Sequence, residues 1–486
     1  MTSFDQIDSL LSRAARLAGD YLRENGEEST PVALPMPPHE LEERLGLSLP
    51  ERGRPLESLI DDARDILEYS VRTSHPRFFN QLFGGIDPAA VLGEWITALS
   101  NTSMYTYESA PVATLIELKL MERLLGAVGF AEGEGVFAPG GSISNLMSVL
   151  VARHRAYPHA KENGLGPDDR PTMFVSAEAH YSLQRAAAVS GIGIANAVPV
   201  ATDEVGRMRM DALESAVQDA LAAGRQPFLV AATSGTTVPG AFDPLVDIAD
   251  VCRRHDMWMH VDASYGGTVL LSRTHRHLMR GVELADSVTW NPHKLMGVPL
   301  ACSATLMKRK GDLVATNGMG ADYLFHDGPE AAPDLGDLTL QCGRRVDALK
   351  LWMSWQALGD EGYEARIDRL FELAHWFRER IGERPGFRLI REPEGPNVCF
   401  RYVPPALAGS VENDVDAGAL TVRVRERLMQ RGRFMVNYAT LDGAPAFRLV
   451  LANHGAGRDD LEALIEEIEA IGAEIAREAL EGAPSP

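Results

Sequence analysis

From about His75 to Gly343 the chain alternates two kinds of hydrophobic pattern. Short apolar runs, TMFVSA (172–177), PFLVAAT (227–233), MWMHVDA (257–263) and ADSVTW (285–290), read as strands buried on both faces. Between them, MDALESAVQDALAAG and PLVDIADVCRRHD carry apolar residues at helical spacing. Strands alternating with helices predict an α/β unit, a mostly parallel sheet with helices on both faces. Ligands of such sheets collect at the carboxyl ends of the strands. Each run ends there in a polar or glycine-rich cluster: EAHYS, SGTTVPG, DASYGG and NPHK.

The flanks read differently. Phe4, Ile7, Leu11, Ala14 and Leu17 lie on one helical face. A proline-rich linker, TPVALPMPPHE, leads to a second helix over PLESLIDDARDILEYSV. Such a two-helix arm has little core of its own, so it is expected to pack on another surface, such as a second subunit. After Gly343 a helix over RVDALKLWMSWQALG leads to FRLIR, NVCFRYV, FMVNYAT and AFRLVLANH, mixed with further helices. The expected division is an N-terminal helical arm (1–74), an α/β large domain (75–345) and a small α+β domain (346–486).

Composition narrows the function. The 486 residues are 45% hydrophobic and 24% charged, ordinary for a globular chain, and no apolar run is long enough for a bilayer. The N-terminus lacks the basic start and apolar core of a secretory signal. Four scattered cysteines without a CxxC pair argue against a zinc site or a disulfide framework and suit a reducing cytoplasm. His275 and His277 are two apart with no cysteine near, so no metal is expected. A net charge of −21 speaks against nucleic acid. An anionic substrate would need local arginines, which screening over about 8 Å permits.

Three stretches carry chemistry. In FAPGGSISNLMSVL, Gly140 and Gly141 allow a tight turn and Ser142 can cap a helix, whose N–H groups and dipole suit a phosphate. In HVDASYGG, Asp262 ends a strand where a carboxylate must meet water, a donor or a cation. In NPHKLMG, Lys294 sits among apolar residues, and an amine of lowered pKa forms a Schiff base with an aldehyde. Lys294 follows Asp262 by 32 residues, room for one helix (LMRGVELA) and one strand, so both can reach one pocket from nearby strand ends. Singly these are a capped helix, a loop aspartate and a surface lysine. Together they are the lysine, the acid for a pyridine nitrogen and the phosphate cradle of a pyridoxal phosphate site.

The chain resembles the pyridoxal-phosphate-dependent amino-acid decarboxylases that include the glutamate, cysteine-sulfinate, aspartate and aromatic-amino-acid enzymes, the acidic-substrate branch most. HPRFFNQL, NTSMYTYESAPV, PGGSISN, ATSGTTVPGAFDPL, HVDASYGG, NPHKLMGV, DYLF and LQCGRRVDALKLW carry the likeness from His75 to Trp352, and FRLVLANH extends it. The resemblance implies the fold type I of pyridoxal-phosphate enzymes and a homodimer with its active site at the subunit interface. It also implies pyridoxal 5'-phosphate bonded to Lys294, with Asp262 at the ring nitrogen and His180 stacked on the ring. Ser142, Ile143 and Ser144 match the phosphate turn, with Asn291 and His293 close to the same phosphate and Thr237 beside the cofactor. Tyr323 matches a lid tyrosine that returns a proton to Cα, and Arg448 matches an arginine for a substrate carboxylate. Ser264 stands where the family usually has Ala.

Gln81, Phe83, Ser103 and Tyr105 match the family's contacts to the substrate side chain. Phe83 is bulkier than the Ser common in animal glutamate decarboxylases, so the pocket should be shorter. The expected substrate is cysteine sulfinate or aspartate, giving hypotaurine or β-alanine, with glutamate as the alternative. An aminotransferase and a decarboxylase-like binding protein without chemistry are the competing readings.

Overall fold

The computed structural model describes residues 4–320 and 333–481. Contacts group the chain into two units: Ile86–Glu372 with Arg391–Asn397, and Met1–Gly85 with Leu373–Ile390 and Val398–Pro486. This division falls elsewhere than at residues 74 and 345. The physical reason is strand pairing: Phe78–Phe79 runs parallel to Met435–Leu441, and the Val32 N–H donates to the Gly432 carbonyl at 2.8 Å. The N-terminal helices thereby join the unit built from the C-terminal residues.

In the large unit the expected α/β sheet is present, with seven strands in the order Glu134–Ala138, Ser303–Met307, Ser287–Trp290, Trp258–Asp262, Gln226–Thr233, Pro171–Ser176 and Ala197–Val200. Only Ser303–Met307 runs against its neighbours; the other pairings are parallel. Alternate side chains enter different cores. Phe174, Val230, Ala232 and Val261 join one apolar cluster, while Met173, Val175, Leu229 and Ala231 join another. Both faces are buried, which explains why these strands read as continuous apolar runs. Trp352 and Trp355, partly buried, pack against the first cluster.

Three local expectations change. The linker contains a short helix, Pro38–Leu45, with Pro38 at its first position, where proline's missing N–H costs nothing. The helix beginning at Ala348 extends to Gly382 after a break at Gly359. The helix anticipated over LMRGVELA is instead two 3-10 turns, Arg276–Met279 and Val282–Leu284. Gly281 separates them at φ 97°, a left-handed conformation that ends a helix.

The second unit has a five-stranded sheet, ordered Phe78–Phe79, Met435–Leu441, Ala444–Val450, Asn397–Tyr402 and Phe387–Leu389. Phe400, Phe447, Leu449 and the buried face of Arg458–Glu481 (Ile468, Ile471, Ile475) form its core.

Candidate active site

Asp262 ends its strand and is 4% exposed. It pairs in register with Thr233 on one side and Thr289 on the other. Burial opposes its charge, but Lys294, Ser264, Asn145 and His260 outweigh burial and hold the carboxyl below its ordinary range. The geometry agrees: Asn145 Nδ2 donates to Oδ2 at 2.8 Å and the Ser264 N–H to Oδ1 at 3.1 Å. Ser264 also favours the charged form of the acid.

Lys294 leaves the next strand, Ser287–Trp290, through a tight turn in which its N–H donates to Asn291 O at 3.0 Å and its carbonyl accepts from Gly297 N–H at 3.0 Å. It is half-buried. Its charge is the largest influence favouring ionised Asp262, so adjacent strand ends bring amine and carboxylate into one electrostatic neighbourhood. His180 feels both. Burial leads in lowering its pKa; Asp262 opposes and Lys294 reinforces the shift.

The helix Gly141–Ala156 begins after Gly140, at φ 114°, so Ser142 lies in its first turn and is not its cap. Ile143 and Ser144 donate their N–H groups to the Gly140 carbonyl, and the Ser144 hydroxyl lies 2.7 Å from Ser303 Oγ. Of the three residues expected at a phosphate, Ser144 is therefore engaged inside the protein, while Gly141 and Ser142 hold the open end of the helix. A Cβ on Gly141 would stand 2.5 Å from Asn291 Nδ2 and 2.9 Å from Ser264 Oγ, so only glycine keeps this space open. Asn291 accepts from Ser303 Oγ at 2.5 Å. His293 lies with Nδ1 2.6 Å from Cys302 O, and burial pushes its pKa down to about 4. Asn397 Nδ2 reaches the carbonyls of Thr237 (3.5 Å) and Val238 (3.1 Å), and Asn397 Oδ1 accepts from the Tyr265 hydroxyl at 2.8 Å.

The expected substrate residues fall in both units. In the large unit, the Ser103 hydroxyl accepts from Arg344 N–H at 3.3 Å and the Tyr105 carbonyl from Gly336 N–H at 2.9 Å. Arg344 is itself buried against Glu117 at 2.6 Å and donates to Met104 O at 2.9 Å. In the second unit, Arg448 donates to Asn80 O at 2.8 Å, beside exposed Gln81, and the Phe83 ring is 6.3 Å from that of Phe78. Tyr323 lies outside the described residues.

Sequence reading does not single out Asn145, Ser182, His260 or Ser287, yet all are buried and bonded around Asp262. Two signals were available. His260 precedes Asp262 by two residues on a strand and so shares its face; Asn145 closes the PGGSISN turn.

A model of the pyridoxal-dependent decarboxylase conserved domain matches residues 38–403. The chain is 46% identical over 446 residues to the cysteine sulfinic acid decarboxylase of Homo sapiens, covering 90% of each chain. It is 43% identical to the acidic amino acid decarboxylase GADL1 of Bos taurus, covering 90% of this chain and 86% of the relative. The crystal structure of mouse CSAD matches with a TM-score of 0.92 at 44% identity, over 96% of this chain and 98% of that one.

Proposed function

Because the chain belongs to the pyridoxal-dependent decarboxylase family, we propose that it removes the α-carboxyl group of a short acidic L-amino acid, cysteine sulfinate or aspartate. The observation that carries this reading is a buried carboxylate, Asp262, kept charged beside the amine of Lys294.

The cofactor is pyridoxal 5'-phosphate, and the residues fit it. Asp262 is a buried anion suited to a ring-nitrogen cation, and Gly141 leaves a space at a helix start that any Cβ would close. Lys294 would hold the aldehyde carbon covalently, His180 a face of the ring, and Thr237 its edge. Ser142, the N–H groups at the start of its helix, Asn291 and His293 would hold the phosphate. Ile143 and Ser144 shape that turn. When bound, the cofactor supplies an electron-accepting ring for the electrons of the broken Cα–carboxylate bond.

The chain's own residues do the rest. Asp262, ionised throughout the neutral range, holds a proton on any base facing it. Asn145 and Ser264 keep it oriented. Lys294 would accept and release protons at Nζ beside the substrate amine. Tyr323 we assign, from the family likeness, as the donor of the proton that Cα receives. Arg448, with a guanidinium fork, is suited to a carboxylate or sulfinate. Gln81, Phe83, Ser103 and Tyr105 are assigned to the substrate side chain, with Phe83 favouring the shorter acids.

The test is kcat/KM for cysteine sulfinate, aspartate and glutamate, read as CO2 and amine formed. One methylene is worth about 1–3 kcal/mol, so glutamate should be poorer by roughly 10- to 200-fold. A preference for glutamate would reject the pocket assignment, and keto-acid formation without CO2 would reject decarboxylation.

The same reading includes a cytoplasmic homodimer. All four cysteines are free, three of them buried. Within the second unit Phe4, Ile7 and Leu11 are exposed on one helical face, and within the large unit Leu92, Trp95 and Leu99 are exposed on the helix Pro88–Ser100. Apolar faces of this kind mark association surfaces. Sedimentation equilibrium should give twice the chain mass; a monomer at micromolar concentration would refute the dimer.

A further inference from the structure

Behind the carboxylate lies an unbroken line of polar side chains in the large unit. Trp258 Nε1 is 2.8 Å from Ser287 Oγ. Ser287 Oγ is 2.9 Å from His260 Nδ1, and His260 Nε2 is 3.1 Å from Asn145 Oδ1. Asn145 Nδ2 is 2.9 Å from Ser182 Oγ and 2.8 Å from Asp262 Oδ2. Ser182 Oγ is 2.8 Å from His180 Nδ1. Ser287, His260 and Asn145 are at most 1% exposed, so water does not compete for these bonds.

The bond directions in this line follow from its fixed members, the indole, the carboxylate and, at the His180 end, a backbone N–H. An indole N–H only donates, and an ionised carboxylate only accepts. Asp262 therefore takes one proton of the Asn145 amide, which fixes the orientation of that amide. The other amide proton goes to Ser182, and the amide oxygen must accept. His260 consequently carries its proton on Nε2. Burial pushes the pKa of His260 down to about 4, so the ring is neutral and Nδ1 has to accept. Ser287, already taking the Trp258 proton, supplies its own hydroxyl proton to Nδ1. At the far end, the Ser182 backbone N–H only donates, so His180 Nδ1 has to accept, and the Ser182 hydroxyl, accepting from Asn145, gives its proton to that nitrogen. The Ser182 backbone N–H approaches the same nitrogen at 3.3 Å.

We propose that this one-way relay, from Trp258 through Ser287, His260, Asn145 and Ser182, locks neutral His180 in the tautomer with its proton on Nε2, making Asn145 and His260 positioning residues for both His180 and Asp262. His180 then presents a hydrogen-bond donor, suited to an anionic oxygen such as a substrate carboxylate, and not a base. The tautomer follows from hydrogen bonding alone; only its use toward substrate rests on the decarboxylase reading. Asn145 couples the two ends, since the amide that orients the acid also orients the histidine.

The test is the nitrogen spectrum of the imidazole rings in the full-length protein, labelled with 15N-histidine and assigned by loss of signals in His180→Gln and His260→Gln. Two-bond proton–nitrogen correlations at pH 7–8 should show both rings neutral with Nε2 protonated and Nδ1 bare. A proton on Nδ1 of either ring, or an averaged pair of nitrogens, overturns the relay, and the parent protein alone decides this. Ser182→Ala should move His180 to an averaged tautomer and leave His260 as in the parent, while Ser182→Thr restores His180. Unchanged His180 nitrogens in Ser182→Ala would also overturn it. A protein with the expected spectrum that releases no CO2 from any amino acid keeps the relay and loses the decarboxylase reading.

Discussion

Two buried carboxylates of the large unit solve the same problem in opposite ways. Glu117, 1% exposed, has a buried arginine of its own: Arg344 lies at 2.6 Å and ties the pair to Met104 O and Phe137 O. Asp262, 4% exposed, takes its hydrogen bonds from neutral donors, the Asn145 amide and the Ser264 N–H. Both arrangements offset desolvation, but they leave different residues of charge. The Glu117–Arg344 pair is closed: its charges cancel and it can only hold the Ser103–Tyr105 segment in place. Asp262 is stabilised without being cancelled by a guanidinium, so its charge remains available to a cation brought in by a ligand. Glu117 is closed onto a hydrogen-bonded guanidinium; Asp262 takes its hydrogen bonds from dipoles, while the charge of Lys294 is its largest electrostatic support.

Substitutions at the two acids should separate these roles. The largest effect is expected at the closed pair. Glu117→Gln strands the Arg344 charge in the interior, and urea denaturation should show a loss of about 3–5 kcal/mol. If stability changed by less than experimental error, the pair would not be the clamp described. Asp262→Asn should reverse the pattern, with turnover falling by on the order of 10²–10³-fold, the usual cost of removing an electrostatic partner of developing charge. Steady-state rates at saturating cofactor measure this, and near-normal turnover would break the contrast.

The smallest effect is on pH dependence. His260 has its folded pKa pushed down to about 4, below the 6.5 of an unfolded histidine. Between those values the unfolded chain binds a proton that the folded one refuses, so stability falls as the pH drops from 6.5 towards 4. One such histidine contributes a slope of about 1.4 kcal/mol per pH unit. His260→Gln should remove that slope relative to the parent, measured as unfolding free energy across the window. Parallel curves for the two proteins would show that His260 is not the neutral buried ring the relay requires.

How much of the site was legible depends on the kind of signal. Asp262 and Lys294 were visible because each is a charge beside an apolar run, an expense that calls for a reason. The glycine turn was visible because Gly140 and Gly141 precede a helical period. Arg344 and Glu117 were not, since a charge inside an ordinary helix or loop gives no hint of burial. Asn145, Ser182 and Ser287 were not either: small polar residues are common everywhere, and their meaning lies in partners far along the chain. The anticipated helix between Asp262 and Lys294 failed for a local reason, the left-handed Gly281.

By itself the sequence determined the alternation of strand and helix, the strand ends where chemistry collects and the pairing of a lysine with an acid. These follow from periodicity and from the cost of burying charge, both properties of neighbouring residues. Tertiary structure alone decided which polar groups surround that acid, which of them donate and which accept, and that the N-terminal residues group with the C-terminal sheet. Those depend on register between strands distant in the chain, as when His260 meets Ser287 and Asp262 meets Thr289, and no local pattern encodes a register.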